Sequence, residues 1–350
     1  NRVLVVSRTS GVNVHVVDGD TGADLGTLQA PTDVVTGSNP AGFRLNMIGV
    51  ADDGVVYGAN LDTGAPTFAI YRWADDTTNS VPTVAWSGAP VAGRRFGDTF
   101  DVRGAGANTQ ILIGNNNSAA AEPDNQTVIM TTIDGQTFTQ NVITTQGVDD
   151  DYFRLGVAFG AGNTFYGKTT AQPLRHVGFD LATGVGTLLH TYSNVTASAS
   201  AISVHPSSNL VAVLALENPD NLRIYESSAA GDSLTLVDQE LFATDNANIN
   251  GTGSADFAND RLYVLDTNNG ILALKLGAPG TSPVTQFSNV RGTTNSISFT
   301  ITGRANAGVR IQSTIDFGSW TDAQTVQTDA TGRVDVTLTT PGDHHRFYRG

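Results

Sequence analysis

One recurring unit constrains this chain more than any other feature, and residues 152–194, Tyr152 to Asn194, carry its clearest copy. Apolar residues alternate there in four short runs, Leu155–Phe159, Thr164–Lys168, Arg175–Asp180 and Gly186–Tyr192. Gly160 to Asn163, Thr169 to Pro173 and Ala182 to Gly184 supply the turns between them. Alternation with period two predicts strands with one face buried, and turns this short predict that successive strands pair with one another. A single small sheet has to bury its apolar face against another element, so the unit needs neighbours.

Copies of the unit supply them. Ile48-Gly49-Val50-Ala51 followed by Val55-Val56-Tyr57-Gly58 matches Leu155-Gly156-Val157-Ala158 followed by Thr164-Phe165-Tyr166-Gly167, two periods of about 54 residues further on. Phe96 to Val102 with Gln110 to Gly114 lies between them in phase. Ala201 to His205 with Leu210 to Leu216, and Ser254 to Phe257 with Arg261 to Asp266, follow. Asp18 to Gly22 before Leu25 resembles Asp180 to Gly184 before Gly186, with Thr-Gly turning an outer hairpin in each. This spacing predicts an all-β chain containing a β-propeller, with blades at 1–30, 42–88, 95–145, 152–193, 199–243 and 250–276. Six blades are expected, with seven as the alternative. The first is read as starting at its second strand, and the last as having three strands ending at Ile271 to Leu276. A strand missing from the ring would leave backbone groups that can template another chain.

Gly277 to Pro283 breaks the repeat. The expected organisation is a propeller over 1–276, a linker over 277–284 and a small β-sandwich of immunoglobulin-like style over 285–350. The sandwich strands are expected at Ser296–Thr302, Val309–Thr314, Asp322–Thr328 and Arg333–Thr339.

Composition narrows the partners. The 350 residues carry a formal charge of −14, and of the 19 basic residues two, Lys168 and Lys275, are lysines. Phosphate backbones and anionic membrane surfaces repel such a chain, so nucleic acid is set aside. With no cysteine, disulfides, zinc-thiolate sites and thiol catalysis drop out. No apolar run reaches the roughly 18 residues of a membrane span. The chain begins at Asn1 without Met, so a removed leader or processed arm is expected upstream.

Arg310 to Thr314, Trp320-Thr321, Thr328 to Gly332 and the final Arg346 to Arg349 resemble the β-sandwich modules that close many large exported bacterial proteins, with Phe317 where that pattern has Leu. Ala51 to Leu61 and Gly93 to Gly104 resemble uncharacterised bacterial propeller domains. These resemblances imply export to the cell surface and a non-catalytic role, and they carry over no catalytic residue.

Candidate sites are few. Asp149-Asp150-Asp151 is the densest acidic cluster, and oxygen-rich loops hold Ca²⁺; consecutive residues on an extended chain point to opposite faces, which argues for a solvated loop. Asp18 to Asp24 begins like a calcium loop but has Gly22, Ala23 and Gln29 at its fifth, sixth and twelfth positions, so a turn is expected. His15, His176 and His190 sit in strand-like runs, His205-Pro206 reads as a strand end, and His344-His345 reads as exposed. Phe100, Phe159 and Phe257 are expected to pack between blades. Sequons occur at Asn116, Asn125, Asn194 and Asn250, and they mark surface loops if a glycosylating cell exports the chain.

No nucleophile elbow and no phosphate loop is found. The leading expectation is a non-enzymatic extracellular protein without cofactor that associates with copies of itself into a surface filament. An alternative is a lactonase-like or sugar-acting propeller enzyme. In it, Asp98, Asp101 and Asp256 converge on the channel, unless Arg94, Arg95 or Arg103 neutralise them. Another is a carbohydrate- or matrix-binding module, with surface polysaccharide as partner, using Trp73, Trp86 or Trp320 as an aromatic platform.

Overall fold

In the computed structural model, residues 1–7, 12–32, 43–61, 67–116, 126–148, 153–258, 260–277, 286–293, 295–303, 308–315, 320–339 and 347–349 are described. The chain forms two compact units, Asn1–Lys275 and Leu276–Gly350.

The first unit is a β-propeller, built from consecutive antiparallel meanders. The first set holds β1 (Arg2–Ser7), β2 (Asn13–Asp18) and β3 (Asp24–Leu28). The second holds β4 (Phe43–Val50), β5 (Val56–Leu61), β6 (Phe68–Trp73) and β7 (Thr83–Gly88). The third runs through β8 (Arg95–Arg103), β9 (Gln110–Asn116), β10 (Gln126–Thr132) and β11 (Phe138–Gln146). The fourth has β12 (Gly156–Phe159), β13 (Thr164–Lys168), β14 (Leu174–Asp180) and β15 (Val185–Tyr192). The fifth comprises β16 (Ala199–Val204), β17 (Leu210–Ala215), β18 (Asn221–Ser227) and β19 (Leu234–Leu241), and the sixth β20 (Gly253–Phe257), β21 (Arg261–Asp266) and β22 (Gly270–Lys275). The third and fourth sets merge into one eight-stranded sheet because their outer strands β11 and β15 pair in parallel, Thr145 opposite Gly186. A side chain at 186 would fall 2.5 Å from the Thr145 hydroxyl, so glycine permits this junction.

Cores form between neighbouring sets. Tyr57, Phe68 and Phe96 pack with Ile111 and Met130 between the second and third, and Phe153, Phe165 and Phe179 with Leu112 and Ile143 between the third and fourth. The repeated glycine of the sequence motif belongs to this stacking. A Cβ on Gly156 would lie 2.1 Å from the Ser200 carbonyl oxygen on β16.

The first set departs from expectation. Its β1 holds the inner position instead of a second one: Leu4 lines the central cavity together with Val50 of β4 and Val102 of β8. Among the described residues, no strand stands at the outermost position in either end set. Among the described residues no strand crosses between the chain ends, and side chains join the last set to the first. Arg261 donates to Asp20 at 2.6 Å, and the Tyr263 hydroxyl donates to the Gly19 carbonyl at 3.1 Å.

The second unit is a small sandwich. β23 (Gln286–Gly292), β24 (Ser296–Thr302) and β27 (Arg333–Thr339) form one sheet; β25 (Gly308–Thr314), β26 (Thr321–Gln327) and β28 (Phe347–Arg349) form the other. Phe299, Ile301, Val309, Ile311, Val336 and Leu338 fill the space between them. Strand β23 has no counterpart in the sequence reading, because its residues are exposed and carry no alternation.

Candidate functional site in the central channel

The inner strands β1, β4, β8, β12, β16 and β20 surround a cavity of about 1500 Å³ on the propeller axis. Its lining is acidic, but most of the carboxylates are already engaged. Asp52 accepts from the Gly104 N–H at 3.1 Å and Asp53 from the Gly106 N–H at 2.8 Å, which joins the second set to the third. Asp76 accepts from Arg2 at 2.7 Å and joins the first to the second.

Two carboxyl groups remain directed at the lumen, Asp101 on β8 and Asp256 on β20. Asp101 accepts from the Phe159 N–H at 2.7 Å and from the Val102 N–H at 2.8 Å. Burial outweighs these bonds and the nearby Arg103 charge, and pushes its pKa up to about 6. Asp256 is pushed up to about 7, by burial first and by the Asp101 charge second, while the neighbouring Phe257 N–H opposes the rise. Its side chain is exposed to the lumen, and the protein of the surrounding ring supplies the desolvation. Asp256 thus feels the Asp101 charge across the channel.

Aromatic rings flank the pair. Phe159 and Phe257 line the same cavity, and the Arg103 guanidinium stacks 4.0 Å over the Phe159 ring. Arg103 is fixed there by Gln110, at 2.9 and 2.6 Å, and by the carbonyls of Gly160 and Gly162, at 3.2 and 2.7 Å. His205 stands edge-on to Phe257 at 5.2 Å, and its Nδ1 accepts from the Ser207 N–H at 3.2 Å, consistent with a strand-end role.

The other sequence candidates disperse. Asp98 is 4% exposed, paired through both oxygens with Arg95 and approached by Arg154 at 3.6 Å, so it does not join the channel pair. Trp73 is fully buried and donates to the Gln29 carbonyl at 2.9 Å, which removes it as a platform. Trp86 tilts against Phe68, and Trp320 is half-buried. His176 stacks on Tyr166 at 4.3 Å, opposite His190 on β15, and burial lowers its pKa to about 4. His15 meets Asp24 at 2.9 Å. Asp18 accepts from the N–H groups of Asp20 and Thr21, the expected turn. Asn116 ends β9, Asn250 is exposed, and the Asn194 amide donates to the Leu234 carbonyl at 2.6 Å. Asn125, Asp149, Asp150, Asp151, His344 and His345 lie outside the described residues.

Sequence reasoning missed Lys168. It is fully buried at the end of β13, where its ammonium donates to the carbonyls of Thr169, Ala197 and Thr196 at 3.1, 3.0 and 3.4 Å, and burial lowers its pKa to about 8. The available signal was a lysine closing an otherwise uncharged strand.

No family profile and no curated protein sequence matches the chain. Solved structures do resemble it. A DUF4623 family protein from Bacteroides eggerthii superposes with a TM-score of 0.52 at 15% identity, over 97% of this chain and 68% of that one. A Bacteroides uniformis protein provisionally assigned as a 6-phosphogluconolactonase gives 0.45 at 12% identity, over 95% and 98%. The WD40 β-propeller domain of Doa1 gives 0.44 at 13%, over 79% and 90%. At these identities the likeness is one of fold.

Proposed function

We propose that the first unit is a binding module that takes a small polyhydroxylated molecule, a saccharide or a related polyol, in its central channel. The observation that carries this reading is that Asp101 and Asp256, from strands on different sides of the ring, line one cavity, neither of them in a salt bridge to an arginine among the described residues. Carboxyl groups facing a cavity bond the hydroxyls of such a ligand. Both carboxyls have the raised pKa a general acid requires, so hydrolysis of a bound glycoside or lactone is the catalytic extension of this site.

Calorimetric titration with a panel of oligosaccharides and aldonolactones tests the proposal. At least one is expected to bind, with affinity falling tenfold or more in Asp101→Asn and Asp256→Asn. Absence of binding across the panel, or affinities unchanged in both variants, would sink it. Product analysis in the same samples separates binding from turnover.

A second reading rests on the end sets. The outer edge of β22 has no strand beside it among the described residues, whereas β3 is partly covered by bonds from the Asn79 N–H to Thr27 and from the Gln29 N–H to Ser80. Addition of a strand from a second copy to β22 would join molecules head to tail. Export, an immunoglobulin-like character of the second unit and assembly at a cell surface belong to this reading and follow from the sequence resemblance.

A further inference from the structure

Two carboxyl groups that the channel does not use meet where the fifth and sixth sets join. Asp220 directly precedes β18, Asp266 ends β21, and residues 242–252, the connection from β19 to β20, lie beside both. Asp266 is fully buried and Asp220 is 4% exposed. Their side chains are hydrogen-bonded to each other. Neither is in a salt bridge among the described residues: Arg223 on β18 is held by Glu217, and Arg261 and Lys275 stand opposite each other at the far end of β21 and β22.

The donors around the pair leave one atom unserved. Asn269 donates to Oδ2 of Asp220 at 3.1 Å, and the Asn248 amide and the Asn268 N–H donate to Oδ1 of Asp266 at 3.2 and 2.9 Å. Oδ2 of Asp266 is buried and meets no N–H or O–H donor among the described residues. Two ionised carboxylates offer acceptors alone and cannot hydrogen-bond to each other, whereas one proton makes either of them a donor to the other. The charged neighbours favour that proton. Asp245 on the connection accepts from the Asp220 N–H at 3.1 Å and adds a third negative charge; Glu217 is neutralised by Arg223, and Glu240 on β19 stands opposite Leu222. Burial first, then the hydrogen bond to Asp266 and the Asp266 and Asp245 charges, raise the pKa of Asp220 to about 6.

We propose that Asp220 and Asp266 share one proton and form a pH-dependent clamp between the fifth and sixth sets, closed in mildly acidic solution and released when the proton leaves. The asparagines transmit the release. Asn269, which donates to Asp220, accepts from the Asn246 N–H at 2.6 Å and donates to the Asn246 carbonyl at 3.0 Å. Asn268 donates to the Ala247 carbonyl at 2.6 Å, so the connection, the β21–β22 turn and the start of β18 are bound through this one pair. Two like charges buried there push the three segments apart. The same set carries Arg261 and Tyr263, which close the ring onto the first set. Because the folded pKa of Asp220 lies above the ordinary 3.8, the clamp contributes fully below about pH 4, and its contribution is lost as the pH rises through about 6.

Hydrogen exchange read by mass spectrometry tests the clamp locally, which separates it from Asp101 and Asp256 in the channel. After correction for the intrinsic pH dependence of exchange, protection of residues 242–252 and 266–270 is expected to fall about tenfold between pH 5 and pH 8 in the wild type. Asp266→Asn keeps Oδ1 as acceptor and places a permanent donor where Oδ2 stood, so its protection should stay level over this range. Asp220→Asn supplies the same comparison if the first variant fails to fold. Level protection in the wild type from pH 5 to pH 8 would overturn the proposal. So would a fall of the wild-type size in whichever variant folds.

Discussion

Asp98, Asp101 and Asp256 look alike in the sequence, each an aspartate on an inner strand, and their fates differ because of what stands opposite. Asp98 meets Arg95 and Arg154 and becomes one end of a buried ion pair. Asp101 and Asp256 meet backbone N–H groups, and burial raises both pKa values. Their folded pKa values lie above the ordinary value of 3.8, so between about pH 4 and pH 7 the folded state binds more protons than the unfolded chain. Stability from these groups is fully present below pH 4 and is lost as the pH rises through 6 to 7. Denaturant titrations over this range should show wild type losing stability relative to Asp256→Asn as the pH increases; a constant difference between the two would show that the carboxyl is not perturbed. Lys168 illustrates the same limit of a linear reading. Three carbonyls contributed by two separate turns make its burial tolerable, and nothing adjacent in sequence announces them.

At the scale of the element, strands were the most legible feature. The template unit was read as Thr164–Lys168 and Arg175–Asp180 and is observed as Thr164–Lys168 and Leu174–Asp180, because alternation and glycine turns act locally. The repeated glycine was visible, but its reason was not. Gly156 lets the β16 backbone approach, whereas Gly49 faces the Val102 methyl at 2.9 Å. Gly156→Ala should therefore cost about 3 kcal/mol, with a main-chain carbonyl in the way, and Gly49→Ala about 1 kcal/mol, since a side chain can turn aside. Equal shifts in the urea midpoint for the two variants would contradict this account. β1 was misplaced for a related reason: Val3 to Val6 is apolar enough for either an inner or a second strand, and only its neighbours in the ring distinguish the two positions.

For the whole molecule, the consequential question is how the ring ends meet. Asp20, Gly19, Arg261 and Tyr263 join the first and last sets through side chains, and β22 keeps an open outer edge among the described residues. If copies add strands to that edge, sedimentation should show mass increasing with concentration, and a proline at Ala273 on β22 should restore the monomer. A monomer at every concentration would rule this assembly out.

The sequence by itself determined the all-β class, the propeller repeat, the change of pattern near residue 277 and most strand positions. All of these follow from alternation, turn residues and period, which are local properties of a chain. Tertiary structure alone decided which aspartates pair with arginine, which glycine supports a backbone contact and where β1 sits. Each of those depends on groups brought together from distant positions, whose distances and shared desolvation exist only once the sheets have stacked.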